Sequence, residues 1–373
     1  MRACGTALAR LCFQQIIQVG EMLLVEIEVD IVPEPFRVLQ VGFGTIGRTI
    51  AQAIIERENL ELVGLVDVDP NLQGQYVEEI LGLDSKTRTP IQSSLDEAIG
   101  SSDSPSIDVA VVATVSDLER VMPTVAACLR GGMDVVSICE QLSYPFSRHP
   151  KLAEELDALA RESGKTVLGT GINPGYLMDL LPIVLSSPMQ RVESIEVTRV
   201  INSSHRRASF QKKIGTGMSQ NEFIKSIDEG VITGHVGLDE SIRMVGDALN
   251  LGLDHVEELP VEPVVADREV VTPYTTVEKG GVLGLKSRGV GNKSGKTLVT
   301  LDFCAYAEAS PEYDEIRLKG YPDLVQRVQG GVHGDLGTVA MVVNMIPIVA
   351  QSEPGLKTMK DLPAPRNTER VWR

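Results

Sequence analysis

Aromatic residues are scarce in this chain: seven Phe, seven Tyr and one Trp make up 4% of 373 residues. Stacking platforms for nucleic-acid bases are therefore not expected. Basic groups are also in deficit, with 35 Lys and Arg against 51 Asp and Glu and a net charge of -16. A field of that sign repels a phosphate backbone, so no nucleic-acid partner is expected either. Long apolar runs are missing. The strongest one, near the C-terminus, is interrupted by Asn344 and Pro347 and is too short to span a bilayer, so no membrane partner is expected. The five cysteines (Cys4, Cys12, Cys128, Cys139, Cys304) show no CxxC spacing, which argues against a disulfide framework and for a reducing, cytoplasmic compartment. The histidine spacing suggests no metal, and no GxxxxGK[ST] run is present, which excludes a P-loop.

Residues 1–35 carry Arg2 and Arg10, have no acid in their first twenty positions, and end at Pro33 and Pro35. No small-residue cleavage site follows a clear apolar core. The stretch reads as a disordered or appended leader, with a targeting role left open.

What the chain does contain is regular. Short apolar runs at Phe36–Val41, Leu60–Val68, Ile107–Thr114, Asp134–Cys139 and Lys165–Thr170 are separated by turns and helical stretches, among them Ile46–Glu58, Leu118–Leu129 and Pro150–Ser163. Apolar runs without alternation, spaced by helices, predict parallel strands covered on both faces. That is an α/β, Rossmann-type doubly wound sheet. Beyond Asn173 the pattern changes. Val192–Ile201 alternates, Val282–Val290 and Thr297–Ala307 are long and β-rich, and helices are expected at Ser219–Glu229 and Leu238–Leu251. These features predict a second, α+β domain with an open mixed sheet. Gly334–Ala350 is apolar around too much of its circumference for a surface helix and is expected to pack back onto the first domain. The resulting division is 36–175, completed by 333–373, for the doubly wound domain, and 176–332 for the second, substrate domain.

The segment Val41-Gly42-Phe43-Gly44-Thr45-Ile46-Gly47 places GxGxxG between a strand and a helix. Gly42 permits the tight turn, Gly44 lets the backbone approach a pyrophosphate, and Gly47 allows close helix packing. The N–H groups opening the helix, from Thr45 and Ile46 onward, face the phosphates. Asp67, twenty residues beyond Gly47, suits the hydroxyls of an NAD ribose, whereas Arg48 could meet the 2′-phosphate of NADP. The choice between NAD and NADP stays open.

Thr114, Ser116 and the loop Gly169–Gly175, with Asn173 in it, fall at the carboxyl ends of parallel strands, the ligand edge of such sheets. Thr114 and Ser116 could instead cap a helix. Glu140 directly follows a buried strand and faces the same edge, a partly desolvated setting that suits proton handling or a bound amine, with a solvated loop glutamate as the alternative. Its neighbour Cys139 is either a thiol nucleophile or, better, a small buried hydrophobe. In the second domain Arg199 shares a core-facing strand side with Ile195, Val197 and Ile201 and needs an anion, which a substrate carboxylate could supply, or a route to solvent. His235 could assist Arg199 or be a satisfied structural residue. The basic run from His205-Arg206-Arg207 to Lys212-Lys213 could draw in an anion or lie on a solvated face. Ser219 and Glu222 form a capping-box pattern.

These segments resemble the 2,4-diaminopentanoate dehydrogenase and native amine dehydrogenase family, whose fold is like that of dihydrodipicolinate reductase. The resemblance runs from about Phe36 to Pro363 through GFGTIG, CEQLSYP at Cys139–Pro145, GTGINPGYLMD at Gly169–Asp179, QKKIGTG at Gln211–Gly217, GHVGLDES at Gly234–Ser241 and PGLKTMKDLP. It implies Glu140 as the catalytic glutamate, Asn173, Arg199 and His235 as groups holding an amino-acid portion of substrate, Tyr176 and Leu177 as pocket lining that sets substrate size, and a homodimer through the second sheet. The activity it implies is NAD(P)-dependent interconversion of a primary amine with a ketone or aldehyde plus ammonia. A cyclic-imine reductase and a non-catalytic dinucleotide sensor are the alternatives. The paired histidines and the Lys-x-x-x-Pro-Ser-Gly-Thr run of true dihydrodipicolinate reductases are absent.

Overall fold

The structure, a computed structural model, describes residues 34–84, 88–100 and 106–373. The expected leader therefore lies, except for its last two positions, outside the described residues. In the first domain the elements run β1 (Phe36–Val41), α1 (Thr45–Ile55), β2 (Leu60–Val66), α2 (Val77–Leu81), β3 (Ile91–Gln92), α3 (Leu95–Ile99), β4 (Val109–Val112), α4 (Leu118–Arg130), β5 (Asp134–Ser137), α5 (Pro150–Glu162) and β6 (Thr166–Gly169). The second domain holds α6 (Leu180–Leu185), β7 (Arg191–Asn202), α7 (Ala208–Lys213), α8 (Gln220–Asp228), α9 (Leu238–Ala248), β8 (His255–Glu258), β9 (Glu262–Val265), β10 (Val270–Val271), β11 (Thr276–Val277), β12 (Val282–Lys293), β13 (Lys296–Tyr306), β14 (Tyr313–Tyr321) and β15 (Leu324–Gln329). The chain closes with α10 (Gly334–Ala350) and β16 (Gly355–Lys357).

The first sheet is seven-stranded in the order β16-β6-β5-β4-β1-β2-β3, and every pairing is parallel. The order in which the chain adds strands reverses between β1 and β4, which opens a crevice at their carboxyl ends. Alternate residues of each strand feed two cores. Val38, Val109 and Val111 join α1 and α10 on one face, while Leu39, Ala110 and Val112 join α4 and α5 on the other. The expected return of the C-terminal helix is seen: α10 packs on α1, β4, β5 and β6 and buries Val339, Val342, Met345, Ile346 and Val349.

The second sheet is mixed, in the order β15-β14-β7-β13-β12-β8 with β9 also on β12. Its β7–β13 pair is parallel and the other pairs are antiparallel. Helix α9 covers one face, burying Leu238, Ile242 and Val245 against Ile195, Val197 and Leu301.

Several strand ends are shorter than expected. The first-domain runs stop before Asp67 and Thr114, which leaves both residues in the loops above the sheet. Strands β3 and β16 escape sequence reading because two or three residues carry no period. Strands β14 and β15 escape it because their polarity does not follow their burial: Asp314 and Glu315 occupy buried positions of β14, and Val325 an exposed position of β15. Among the described residues, no helix is long and apolar enough to cross a membrane.

Candidate active site

The glycine turn is built by close approach. Gly42 has φ +100°, and a Cβ there would lie 2.4 Å from the Ala113 carbonyl oxygen. A Cβ at Gly47 would come within 2.3 Å of the Gly42 carbonyl oxygen, so Gly47 serves the turn itself as much as helix packing. The Gln40 amide ties the two together by donating to the Gly42 and Gly47 carbonyls at 2.9 and 2.7 Å. Gly44 faces open space, and no side chain caps α1. The N–H groups of its first turn are thus free for an anion, so the cradle fits a dinucleotide pyrophosphate.

Asp67 does more than face a ribose. Its Oδ2 accepts the Phe43 N–H at 2.6 Å and its Oδ1 accepts the Asp69 N–H at 2.8 Å. The carboxylate therefore pins the glycine turn and keeps lone pairs for ribose hydroxyls. Arg48 is turned toward Phe43, with Nε donating to its carbonyl at 3.2 Å and the guanidinium 4.8 Å from its ring centroid. Replacing Asp67 by Ser is expected to weaken NAD binding about tenfold, the scale of one charged hydrogen bond, and NADP binding less. Fluorescence titration with both coenzymes checks this.

Thr114 and Ser116 are exposed at the crevice. The cap of α4 is Asp117, whose carboxylate accepts the Arg120 N–H at 2.9 Å, so capping does not fall to the two hydroxyl residues. Ser116 also has a role the sequence did not suggest: its carbonyl accepts from the Cys139 thiol at 3.1 Å and from the Gln141 N–H at 3.4 Å. Cys139 is buried, and desolvation pushes its thiol up to about 12. A thiol held that firmly protonated is a packing group, so the nucleophile reading falls.

A cavity of about 410 Å³ lies between the domains. The first domain contributes Ile46, Cys139, Glu140 and the loop Thr170–Pro174, and the second contributes Arg199, Arg206, Arg207, Lys213, His235 and Phe303. Asp335 and Thr338 enter from α10. Glu140 opens a single 3₁₀ turn, Glu140–Leu142, directly after β5. Part of the basic run, Arg206, Arg207 and Lys213, thus reaches the cavity wall.

The two expected pocket-size residues do not reach it. Leu177 is buried in the second-domain core and Tyr176 packs between the two domains' cores. The chain bends away after Pro174: the Leu177 N–H donates to the Ile172 carbonyl at 3.0 Å, and the buried Asp179 accepts from the Gly175 N–H (2.7 Å) and the Ser241 hydroxyl (2.8 Å).

Arg199 already has an internal carboxylate. It lies 2% exposed, opposite Asp314 on the neighbouring strand, with Nε 3.6 Å from Asp314 Oδ1 and Nη2 donating to the Val332 carbonyl. Asp314, on a strand the sequence did not reveal, thus supplies a counter-ion from within the chain, while Arg199 still lines the cavity with Nη1 lacking a hydrogen-bond partner among the described residues. His235 stacks on Phe303 at 4.3 Å, and its Nε2 sits 2.6 Å from the Asn173 amide nitrogen. Desolvation, with the positive charges of Arg199 and Lys213, depresses the ring to about 3. His235 is therefore neutral and cannot share an anion with Arg199 as a cation. Asn173 Oδ1 is buried without a hydrogen-bond partner among the described residues, and Asn173 lines the cavity.

Residues 176–372 match the 2,4-diaminopentanoate dehydrogenase C-terminal domain, and residues 36–170 match the oxidoreductase family with the NAD-binding Rossmann fold. The chain is 32% identical over 339 residues to the 2,4-diaminopentanoate dehydrogenase of Acetoanaerobium sticklandii, covering 89% of this chain and 95% of that protein. An amine dehydrogenase of Streptomyces virginiae is 20% identical, over 86% of this chain and 94% of that one. The structure of the Mycobacterium smegmatis amine dehydrogenase shares the fold with a TM-score of 0.74 at 22% identity, covering 90% of this chain and 98% of that one. The chain is an oxidoreductase with a nicotinamide-dinucleotide fold and belongs to the 2,4-diaminopentanoate dehydrogenase family.

Proposed function

We propose that this chain is an NAD(P)-dependent amine dehydrogenase that joins ammonia to the carbonyl of a small oxo acid and runs in reverse as an oxidative deamination. One observation supports the reading above the others: Glu140 shares its cavity with the cationic wall of Arg206, Arg207 and Lys213. An acid and a basic wall in one enclosure suit a substrate with nitrogen at one end and a carboxylate at the other. The printed name of the Acetoanaerobium relative, 2,4-diaminopentanoate dehydrogenase, points to that class.

In the reductive direction Glu140 holds ammonium and takes a proton from it, so that the nitrogen lone pair can attack the carbonyl carbon. The carbinolamine oxygen then leaves as water, with Glu140 returning the proton, and a C=N bond replaces C=O. When bound, the nicotinamide supplies hydride to that carbon. Arg206, Arg207 and Lys213 fix the far end of the substrate so that the reacting carbon is presented in one orientation. The neutral ring of His235 and the side chain of Asn173 border the cavity as polar groups that add no charge near the developing iminium.

The test is NAD(P)H oxidation across oxo acids, amino-substituted oxo acids and simple ketones, each with and without ammonium. Consumption is expected only with ammonium, and acids should exceed ketones of equal size. Rapid oxidation without ammonium would favour an imine or C=C reductase, and a preference for cyclohexanone-like ketones would remove the role of the cationic wall.

A further inference from the structure

A cluster of charges outside the cavity joins the two domains. Arg148 lies between the Glu140 turn and α5, on first-domain chain. Its Nη2 donates to Glu258 Oε1 on β8 at 3.0 Å. Its Nε stands 3.3 Å from Asp239 Oδ2 and 3.7 Å from Glu240 Oε1, both in the first turn of α9. The same Glu258 oxygen accepts the Asp239 N–H at 3.3 Å, and Arg243 Nε donates to Asp239 at 2.8 Å. All three carboxylates belong to the second domain. Asp239 and Glu240 are buried, so solvent screens their attraction to Arg148 less than it screens a surface pair. Neither oxygen of Glu240 has a hydrogen-bond partner among the described residues. Burial pushes that carboxyl up to about 7; the charge of Arg148 opposes the push, while Asp239 and Glu258 add to it.

The cluster sits at the root of both cavity walls. Arg148 follows the turn that carries Glu140, and α9 follows the cavity-lining segment Gly234–Val236, which holds His235. Between the same first-domain stretch and the later turns of α9 lies a hollow of about 410 Å³, lined by Tyr144, Phe146 and Ser147 on one side and Arg243, Gly246 and Asp247 on the other. Packing therefore leaves the spacing loose there, and charge contacts decide it. A second pair across the joint, Lys360 with Asp247 at 3.2 Å, uses a half-exposed carboxylate and contributes little. Glu140 comes from one domain and Arg206, Arg207 and Lys213 from the other. A change of about 1 Å in domain spacing moves the acid away from a substrate held by that wall, and a misplacement of this size costs about 10²-fold in rate. We propose that Arg148 is a positioning residue: by clamping the chain after Glu140 onto α9 and β8, it fixes how far Glu140 stands from the second-domain wall. The inference rests on the proposed role of Glu140 and adds the contact that sets its distance from that wall.

The experiment compares Arg148→Met, Arg148→Lys and Glu258→Gln with the wild type, each as the full chain carrying NAD(P)H. Removing Arg148 leaves Glu240 protonated at neutral pH instead of charged and unpaired, and Arg243 still serves Asp239, so the variants should fold. With 4-oxopentanoate and ammonium, Arg148→Met is expected to lower kcat about 10²-fold with KM and coenzyme affinity unchanged. Arg148→Lys keeps the charge but reaches fewer carboxylates, and should recover about tenfold of that loss. Glu258→Gln should lower kcat about tenfold, the scale of one charged hydrogen bond. Combined with Arg148→Met it should cost nothing further, because both variants remove one shared contact. Amide hydrogen exchange should quicken in residues 140–149 and 238–248 of Arg148→Met, while β1 and β4 exchange as in the wild type. Unchanged kcat, a rise in KM alone, additive losses, or exchange that quickens throughout the chain would each overturn the proposal. A wild type inactive on every oxo compound with ammonium overturns the dehydrogenase reading instead, and the exchange result then decides the clamp by itself.

Discussion

Glu140→Gln is expected to lower turnover by about 10²–10⁴-fold, the range for loss of a positioned acid–base group, while coenzyme affinity stays unchanged. The neighbours of Glu140 explain why the two effects separate. Cys139 is tied to the Ser116 carbonyl, the Gln141 side chain accepts the Leu118 N–H at 2.8 Å, and Leu142 is fully buried. The Glu140 carbonyl itself accepts the Ser143 hydroxyl at 2.6 Å. Each of these anchors is a backbone atom of Glu140 or a neighbouring residue, and none of them engages the carboxylate, which belongs to the cavity lining. Glutamine keeps the shape and removes the proton acceptor. The check is a kcat measurement paired with coenzyme titration of the variant. Full activity in Glu140→Gln would end the assignment, and lost coenzyme binding would mean the side chain supports the loop after all.

The second large effect is on stability. Arg199→Met is expected to cost about 3–5 kcal/mol, because removing one partner of a buried ion pair leaves the other charge uncompensated. Asp314 is that partner, buried on β14 beside β7, with Oδ2 accepting the Val332 N–H at 2.7 Å. Burial pushes the Asp314 carboxyl above its usual range, opposed by the charge of Arg199. Without Arg199 only the Val332 N–H still opposes that upward push. A folded-state acid raised above its unfolded value disfavours folding once it is ionised. The deficit of Arg199→Met should therefore be full at neutral and alkaline pH and shrink as the pH falls through the raised carboxyl value. The double variant Arg199→Met with Asp314→Asn carries no buried charge and should recover much of the loss. Urea midpoints of the second-domain transition at pH 7.5 and pH 5 measure both, and a deficit that grows on acidification would refute the account.

The parts of the molecule legible in the sequence were those whose determinants are close together along the chain. Although Gly42 answers Ala113 beyond β4 and Gly44 faces open space, the GxGxxG turn joins a strand to a helix within a few residues, and Gly47 answers the Gly42 carbonyl inside that unit. The same holds for the capping box at Ser219 and Glu222, where the Ser219 side chain accepts the Glu222 N–H and the Glu222 carboxylate accepts the Ser219 N–H. It also holds for the burial of α10, visible as an apolar surface with no polar stripe. Leu177 shows the limit of this reading. The family resemblance implied pocket lining, yet the Ile172 carbonyl, accepting the Leu177 N–H, and the Asp179 carboxylate, accepting the Gly175 N–H, turn the chain into the core.

Composition and local pattern alone determined a doubly wound dinucleotide domain, a second mixed-sheet domain, and a glutamate at the ligand edge, because strand period, turn glycines and helix stripes are set by near neighbours. Only the tertiary structure decided which charges meet. It paired Arg199 with Asp314, set Arg206 and Arg207 against Asp335, and left His235 neutral beneath Arg199 and Lys213. Those residues lie far apart in the chain. A pairing across two sheets and a returning helix depends on how whole layers pack, and the order of residues carries no local trace of it.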